Sequence, residues 1–551
     1  MRGEIQKVII RAFKGFVCLS EWQKDLLESR KEKEGVTDKM LRRNLVLAIL
    51  SMGCILTGEV QAATLEVAPS GYPYTSIQAA INAVVDGDTV LVHDGTYVEN
   101  INFLGKAITV KSVNGAASTI NGNGSSSVVT FNHGEGSGSV LDGFTITNGY
   151  AAMGGGIYCD SSSPTISNCT ISRNTSTNAG GGISCWNSSS PIITNCTVSE
   201  NRARFNGGGI SCYGTCSPII TNCTIIGNTS GWGGGISCGY SSSPSITNCT
   251  VSANAGSLGG GISCDTSCSP TMTNCIVSGN TASTGGGIYC YSASSPTIIN
   301  STISGNTANT GGGIYCDSTS SSSVKNTILW GDVPNEIYLA GSSITIIYSD
   351  VDQDGYAGSS GNIRQDPLFF DSANGDFSLQ SASPCIDAGT SDGSPATDMK
   401  DSPRSDTPQI PNTGGGTYAY YDMGALEYVP LPDLTGQWAS LAQTCKNTRS
   451  GLKCKVSGRL NIQNVGTLNA PSCFVRFYRS TDEVYNEGID ALKQVATGTI
   501  KVGKSKTKTF SYSFPLGERA SGEYIIAVID ADKTVAEANE GNNHVVFGPI
   551  P

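Results

Sequence analysis

The chain has 551 residues, of which 14% are charged, with 68 glycines, 20 cysteines and a formal net charge of −11. That length has room for two or three domains, and an acidic balance without a basic stripe argues against nucleic acid or anionic lipid as partners. Low charge with abundant Gly, Ser, Thr and Asn separates the chain from ordinary globular enzymes and from charged disordered segments alike.

At the start, Arg42 and Arg43 precede the short apolar run Leu45 to Leu50, and Val60-Gln61-Ala62 has the small-residue pattern of a cleavage site. Residues 40–62 read as a secretory signal peptide, with Ala63 as the first mature residue. Residues 1–39 mix charges without export character and read as a leader ahead of a misassigned start codon. Past Ala62, 23 basic side chains face 37 acidic ones. No later stretch approaches the ~18 consecutive apolar residues of a spanning helix, so no transmembrane segment is expected beyond the signal peptide. The expected location is extracellular, secreted or on the cell surface.

Thr75 and Gln78 have the spacing of a capping box ahead of an amphipathic helix over residues 77–85. Such an N-terminal helical cap is expected to cover the open edge of the first strands after it. Strands are predicted at residues 89–93, 97–103, 108–112, 128–131 and 144–147.

Gly-Gly-Gly-Ile then begins at Gly154, Gly180, Gly207, Gly233, Gly259, Gly285 and Gly311, at steps of 26 or 27 residues. A period this regular means stacked units that bury their apolar sides only against neighbours. Ile157 and Cys159 share one face of a strand, Ile166 points inward after a turn, and Asn168 breaks the alternation before Cys169 and Ile171 resume it. Three short strands per unit make one rung, and the fold class is all-β: a right-handed parallel β-helix of about twelve rungs. Stacking produces columns of identical side chains. Asn168 heads one Asn column and Asn174 another, and stacked amides satisfy the polar groups that bends orphan.

Cysteines form columns as well, headed by Cys159 and Cys169. In-register β-carbons stack at about 4.8 Å, longer than the ~3.8 Å of a relaxed disulfide, so buried thiols are expected, with some disulfides as the alternative. Cys216 and Cys268 interrupt Ser-rich turns, where each could close a local loop with Cys212 or Cys264.

Y-x-S-I-Q-A-A-I-N-A-V-x-x-G-D-T-V from Tyr74 onward resembles the opening of bacterial right-handed β-helix proteins of the pectate-lyase and pectin-methylesterase-like superfamily. The Gly-Gly-Gly-Ile units are similar to polymorphic outer-membrane protein repeats. Asp366-Pro-Leu-Phe-Phe370, Ser383-Pro-Cys-Ile-Asp-Ala-Gly389 and Asp422-Met-Gly-Ala-Leu-Glu-Tyr428 look like the last coils of secreted members. This resemblance covers about residues 64–428, within a β-helix domain expected over 63–428, and speaks for fold, not activity. Residues 429–432, Val-Pro-Leu-Pro, read as a linker. Residues 433–551, with strands predicted at 454–462, 472–479, 506–514 and 523–530, end in a stretch that resembles the bacterial cell-adhesion-related (CARDB) domain, an immunoglobulin-like β-sandwich. There Cys445 and Cys454 fit a disulfide closing a hairpin, leaving Cys473 odd.

Candidate chemistry is sparse. His93, His133 and His544 are scattered, which removes most triad and zinc readings. Asp160, Asp265 and Asp317 share a turn position, but Asp160 and Asp265 lie roughly 19 Å apart and cannot share a metal. Paired carboxylates at glycosidase spacing are not visible in the repeats, and no catalytic residue is assigned. Arg202 and Arg204 beside Glu200 read as a solvated loop, an acidic-sugar contact being the alternative.

Two features are sharper. Trp186, Tyr213, Tyr240 and Tyr291 follow the first strand of their units, with Tyr158, Tyr289 and Tyr315 outward on the strand itself. An aromatic row over a Ser-rich surface suits sugar rings, although strand aromatics also face solvent without a ligand. Asp350-Val-Asp352-Gln-Asp354-Gly355 has the carboxylate spacing of a calcium loop, but Gly361 stands where an EF-hand needs Glu. Asp530, Asp532, Glu537 and Glu540 form a second calcium candidate. The reading is an exported, non-catalytic adhesion or carbohydrate-binding protein whose partner is a polysaccharide or cell-surface glycan. The alternatives are a polysaccharide lyase or hydrolase of the superfamily, and a structural spacer.

Overall fold

A computed structural model describes residues 62–317, 319–408 and 410–551. The expected leader and the signal peptide up to Gln61 lie outside the described residues.

Each unit lays down three strands, exemplified by Ile157–Asp160, Thr165–Ser167 and Thr170–Ser172, which join sheets here called X, Y and Z. Successive units add one parallel strand to each sheet in strict register, Ile157 pairing with Ile183, Ile166 with Ile193 and Ile171 with Val198. Sheet X has 10 strands, Y has 12 and Z has 11 among the described residues, so the solenoid makes about eleven turns rather than twelve. The inward Ile and Val side chains of these strands are removed from solvent, which is the main driving force of the stack.

A fourth row of strands escaped the sequence reading: Tyr150–Met153, Thr175–Ala179 and Arg202–Ala203, continued by bridges at Thr229, Ala255, Thr281 and Thr307. It rises between the end of sheet Z and the next Gly-Gly-Gly. That triplet is where the chain squeezes back against its neighbours. Gly207 has φ +59°, a conformation costly for any residue with a Cβ, and a Cβ on Gly208 would sit 2.5 Å from the Gly234 carbonyl oxygen of the next rung.

Bends are held by polar ladders. In the Asn174 column each buried amide reaches the next rung: Asn228 Nδ2 lies 3.0 Å from Asn254 Oδ1, and the Asn228 backbone N–H donates to the same oxygen at 2.9 Å. Asp332 ends the ladder by accepting from Asn306 N and Nδ2. Burial drives the carboxyls of Asp332 and neighbouring Glu336 toward their protonated forms. The Asn168 column does a different job. Its residues occupy the left-handed region (Asn168 φ 53°, Asn195 φ 53°), turning the chain from sheet Y into Z; the amides of Asn168, Asn195 and Asn222 are exposed, whereas Asn274, Asn300 and Asn326 are buried where residues 366–428 cover the bend.

The cysteines are more than small hydrophobes. At the Y–Z bend, the backbone N–H groups of Cys169, Cys196 and Cys223 donate to the Sγ of the next cysteine at 3.4–3.5 Å. Cys196 Sγ donates to the Thr194 carbonyl at 3.2 Å, and Ser301 Oγ takes over the ladder by accepting from Cys275 N. Cys216 and Cys268 stand in a serine ladder, their N–H groups donating to Ser242 and Ser294 Oγ. Neither closes a loop with Cys212 or Cys264: sixteen cysteines of the described residues are free thiols, all buried. Cys445 and Cys454 are joined, at paired positions of a hairpin. Denaturing and alkylating the protein should therefore label most of these sixteen thiols without prior reduction, whereas native protein should resist labelling. Fewer than about four labelled cysteines would contradict buried thiols and favour rung-to-rung disulfides.

Helix α1, Ile77–Ala83, is shorter than expected, and its cap differs. Ser76, not Thr75, is the N-cap, accepting from Ala79 N at 3.2 Å. Glu99 from the following strand region accepts from Ser76 Oγ, Ile77 N and Gln78 N, while Gln78 turns to Asn102. The carboxylate at the helix start thus comes from a distant residue and replaces the reciprocal Gln of a capping box. Ile77, Ala80 and Ile81 enter the core. That packing does not by itself make the helix a cover for the open edge.

Past the last rungs, residues 366–428 knit together on the solenoid flank. Asp422 accepts from Asp387 N and Tyr428 N, and Met423 N donates to the Cys385 carbonyl. Arg404 pairs with Glu427 at 3.0 Å, both side chains buried, and reaches Asn274 Oδ1 at 3.2 Å. The C-terminal region is a two-sheet antiparallel structure. Leu434–Thr448, Gly451–Asn464 and Ser505–Ser513 form one sheet, and Lys493–Ala496, Phe474–Ser480, Tyr524–Val528 and His544–Phe547 the other. The sequence reading missed Leu434–Thr448, the longest of these, because its inward-facing pattern is broken by a bulge between Trp438 and Ser440. Trp438, Phe477 and Phe510 meet in the core between the sheets.

Candidate functional site

A strand turns alternate residues to opposite faces, so the outer face of sheet X carries two columns. One runs from Tyr158 through Ser184, Ser211, Ser237 and Ser263 to Tyr289, Tyr315 and Tyr338. The other runs Asp160, Trp186, Tyr213, Gly239 and Asp265. Tyr291 follows Cys290, which pairs with Cys264 and Cys316, and so stands between Asp265 and Asp317.

The expected single aromatic row is two clusters. Trp186 and Tyr213 stack with ring centroids 4.4 Å apart and planes 4° from parallel, and Tyr240 leans on Tyr213 at 4.5 Å and 44°. Tyr240 is not in the column: Gly239 is the register partner of Tyr213, and Tyr240 follows it. A Cβ on Gly239 would come within 3.0 Å of the Tyr213 ring, so the missing side chain makes room for the stack. Tyr291 belongs to the second cluster, 6.3 Å from Tyr289. There Tyr289, Tyr315 and Tyr338 form a near-parallel ladder with centroids 5.2 and 5.4 Å apart, and Trp232 meets Tyr289 edge-on at 6.4 Å. Tyr338 and Trp232 were not singled out from sequence. Tyr338 was legible in the match of Ile337-Tyr-Leu to Ile314-Tyr-Cys, one rung on and without a Gly triplet.

Stacking decides what these rings can offer. Two parallel rings cover each other's faces and present edges and phenol hydroxyls to solvent. Open faces belong to less-covered rings: Tyr240, Tyr291 and Tyr338 are 51%, 40% and 41% exposed, whereas Tyr289 is buried. Burial first, then Asp317, Tyr315, Tyr291 and Asp265, hold the Tyr289 phenol protonated well above its ordinary range. Both aspartates therefore act on one tyrosine. They occupy the same column two rungs apart, roughly 9.6 Å at the ordinary strand spacing, with Tyr291 between. The sequence reading compared Asp160 with Asp265 and overlooked this pair.

The other candidates are placed differently from expectation. Asp350 is buried, accepts from Gln365 N and Cys385 Sγ, and is pushed up to about 6 by burial. Asp352 and Asp354 turn away to Arg364, at 3.1 and 2.5 Å. In the short strand Asp350–Val351 it is Val351 that continues the inward column of sheet Z, while Asp350 stands on the outer face and is buried under the Cys385 segment, so the three do not converge on one cation. In the C-terminal region Asp530 accepts from Thr534 and Val535 backbone N–H groups, Asp532 pairs with Arg476, and Glu537 accepts from Leu434 N. Burial pushes Glu537 up to about 7. Among the described residues no group of three His, Cys, Asp or Glu side chains is placed to hold a metal. Glu200 pairs with Arg173 at 2.8 Å rather than with Arg202 or Arg204, and Arg204 lies over the Phe205 ring. His93 bonds Glu66 at 2.9 Å.

A family model described as "Right handed beta helix region" matches residues 83–303 and 234–363, together 281 of the 551 residues. A CARDB model matches residues 431–547. No curated protein matches the chain in sequence. Among solved structures, pectate lyase Pel9A is 18% identical, with 68% of this chain and 98% of that chain covered and a TM-score of 0.43. The CARDB domain of the PF1109 protein from Pyrococcus furiosus, in complex with di-metal ions, is 24% identical over 21% of this chain and 85% of its own, with a TM-score of 0.15. A pectin methylesterase mutant in complex with a hexasaccharide is 12% identical over 57% of this chain and 98% of its own, with a TM-score of 0.27. Likenesses of that size carry no argument about chemistry. No helix of the described residues is long and apolar enough to cross a membrane.

Proposed function

This chain belongs to the right-handed β-helix family, and we propose that it is a non-catalytic glycan-binding protein of adhesion type, exported to the cell surface or beyond it. The observation that carries this reading is the aromatic outer face of sheet X. Tyr240, Tyr291 and Tyr338 keep 40–51% of their surface open, and exposed ring faces accept the C–H faces of sugar rings. Repetition from rung to rung suits a polymer better than a single sugar. The CARDB-type region behind the solenoid supports the adhesion part of the reading.

One observation favours a second reading, a polysaccharide hydrolase. Asp265 and Asp317, roughly 9.6 Å apart, fall near the ~6.5–9.5 Å of inverting glycosidases. A lyase is less supported, since its Lys or Arg base would have to come from elsewhere: residues 205–324 contain neither. The test is to incubate the protein with a panel of polysaccharides and follow retention, new reducing ends and unsaturated product. The binding reading expects retention without product. Reducing ends that vanish in Asp265→Asn would establish the hydrolase instead.

A further inference from the structure

We propose that the tyrosine ladder of sheet X selects an amine-bearing glycan over a polyuronate, an inference that rests on the glycan-binding reading above. Charge is the first ground. Residues 205–324 contain no Lys, Arg or His, and their only carboxylates are Asp265 and Asp317, which flank Tyr291 in the outer column of sheet X. The nearest cations of the flanking strand row, Arg202 and Arg204, lie beyond this stretch, one rung past Trp186. A uronate chain laid over Tyr291 and the open side of the ladder would meet two like charges and no compensating cation from sheet X; Lys325, in the rung of Tyr315, stands on sheet Y with its Nζ donating to the Asp392 and Gly393 carbonyls. Among the described residues no three His, Cys, Asp or Glu side chains are placed to hold a metal ion that would bridge it.

The same surroundings suit an ammonium group. Cations are held over aromatic faces, more strongly where water is partly excluded, and here the rings stand between two carboxylates. The hydroxyl groups needed to orient a sugar are present too. Tyr291 and Tyr338, 40% and 41% exposed, carry phenol hydroxyls beside the ladder.

The experiment compares three oligosaccharides of equal length on the full chain: deacetylated chitin, its fully N-acetylated counterpart, and galacturonate. At low salt, with amines protonated and aspartates ionised, the deacetylated oligomer should bind about tenfold more tightly than the acetylated one. Galacturonate should bind weakest. Raising salt should shrink the difference, and the double variant Asp265→Asn, Asp317→Asn should erase most of it while leaving thermal unfolding unchanged. Equal or tighter binding of the acetylated or uronate oligomer overturns the inference and leaves the glycan-binding reading standing. So does a preference that survives both high salt and the double variant. Failure of all three to bind overturns both.

Discussion

Gly208→Ala should destabilise the solenoid by about 4 kcal/mol or more, beyond the usual range of overpacking. The new methyl would meet Gly234 O at 2.5 Å and Thr229 N and O at 2.6 Å. These are backbone atoms, Gly234 of the next rung and Thr229 at the close of Gly208's own, locked by Gly208 N to Gly233 O, Gly209 N to Gly234 O and Thr229 N to Asn201 O, and no side chain can swing aside. Overpacked cores usually relax through rotamers, and here there are none. Gly136→Ala is the control, since nothing lies within 4 Å of its Cβ position; it should stay within about 0.5 kcal/mol of the parent. Urea unfolding measures both. Equal midpoints would mean that the triplet tolerates side chains and that the close rung packing is not what the repeated glycines serve.

Asn228→Leu should cost about 4 kcal/mol, although Leu fills nearly the same volume. Fully buried Asn228 donates through Nδ2 to Val198 O at 2.8 Å and to Asn254 Oδ1 at 3.0 Å, and its Oδ1 accepts from Asn201 N and Nδ2, both at 3.0 Å. Leucine strands a carbonyl and an N–H in the interior, each costing roughly 1–3 kcal/mol, and interrupts the ladder in the middle. Asn195→Gly, at the exposed left-handed bend, should change stability by less than about 1 kcal/mol, since Gly adopts that conformation freely. If the two substitutions cost the same, the buried ladder would contribute nothing beyond turn formation.

The contrast between those two asparagines shows what could be read in advance. A fixed period with Ile at one place and Asn at another determines rung, register and column, because a strand repeat of two leaves no freedom once units stack. Which Asn column lies inside depends on backbone conformation at the bend, and both columns look alike as letters. The Cys169 column was read as apolar for a similar reason: that each sulfur accepts an N–H from the preceding rung and donates to a carbonyl two residues back shows only in the bend geometry. The aromatic row depended on alignment to a single residue. Tyr240 was placed one position off its column, and Tyr338 was passed over because its rung lacks the Gly triplet. The spacing of the Asp350 loop did not report that a later segment, around Cys385, covers its first carboxylate while Arg364 draws the other two away. In the C-terminal region the bulged strand Leu434–Thr448 and the short strands Lys493–Ala496 and His544–Phe547 were not found, four residues being too few for alternation to stand out.

The most direct test of the aromatic face as a glycan site is the affinity of Tyr240→Ala, Tyr291→Ala for whichever polysaccharide the parent retains best. These rings are among the most exposed of the two clusters, so their loss removes open faces without unstacking Trp186 from Tyr213. The account predicts a loss of about 1–2 kcal/mol per ring, a combined drop in affinity of about a hundredfold, with thermal unfolding unchanged. Undiminished binding by a folded double variant would contradict it and move the glycan site off sheet X.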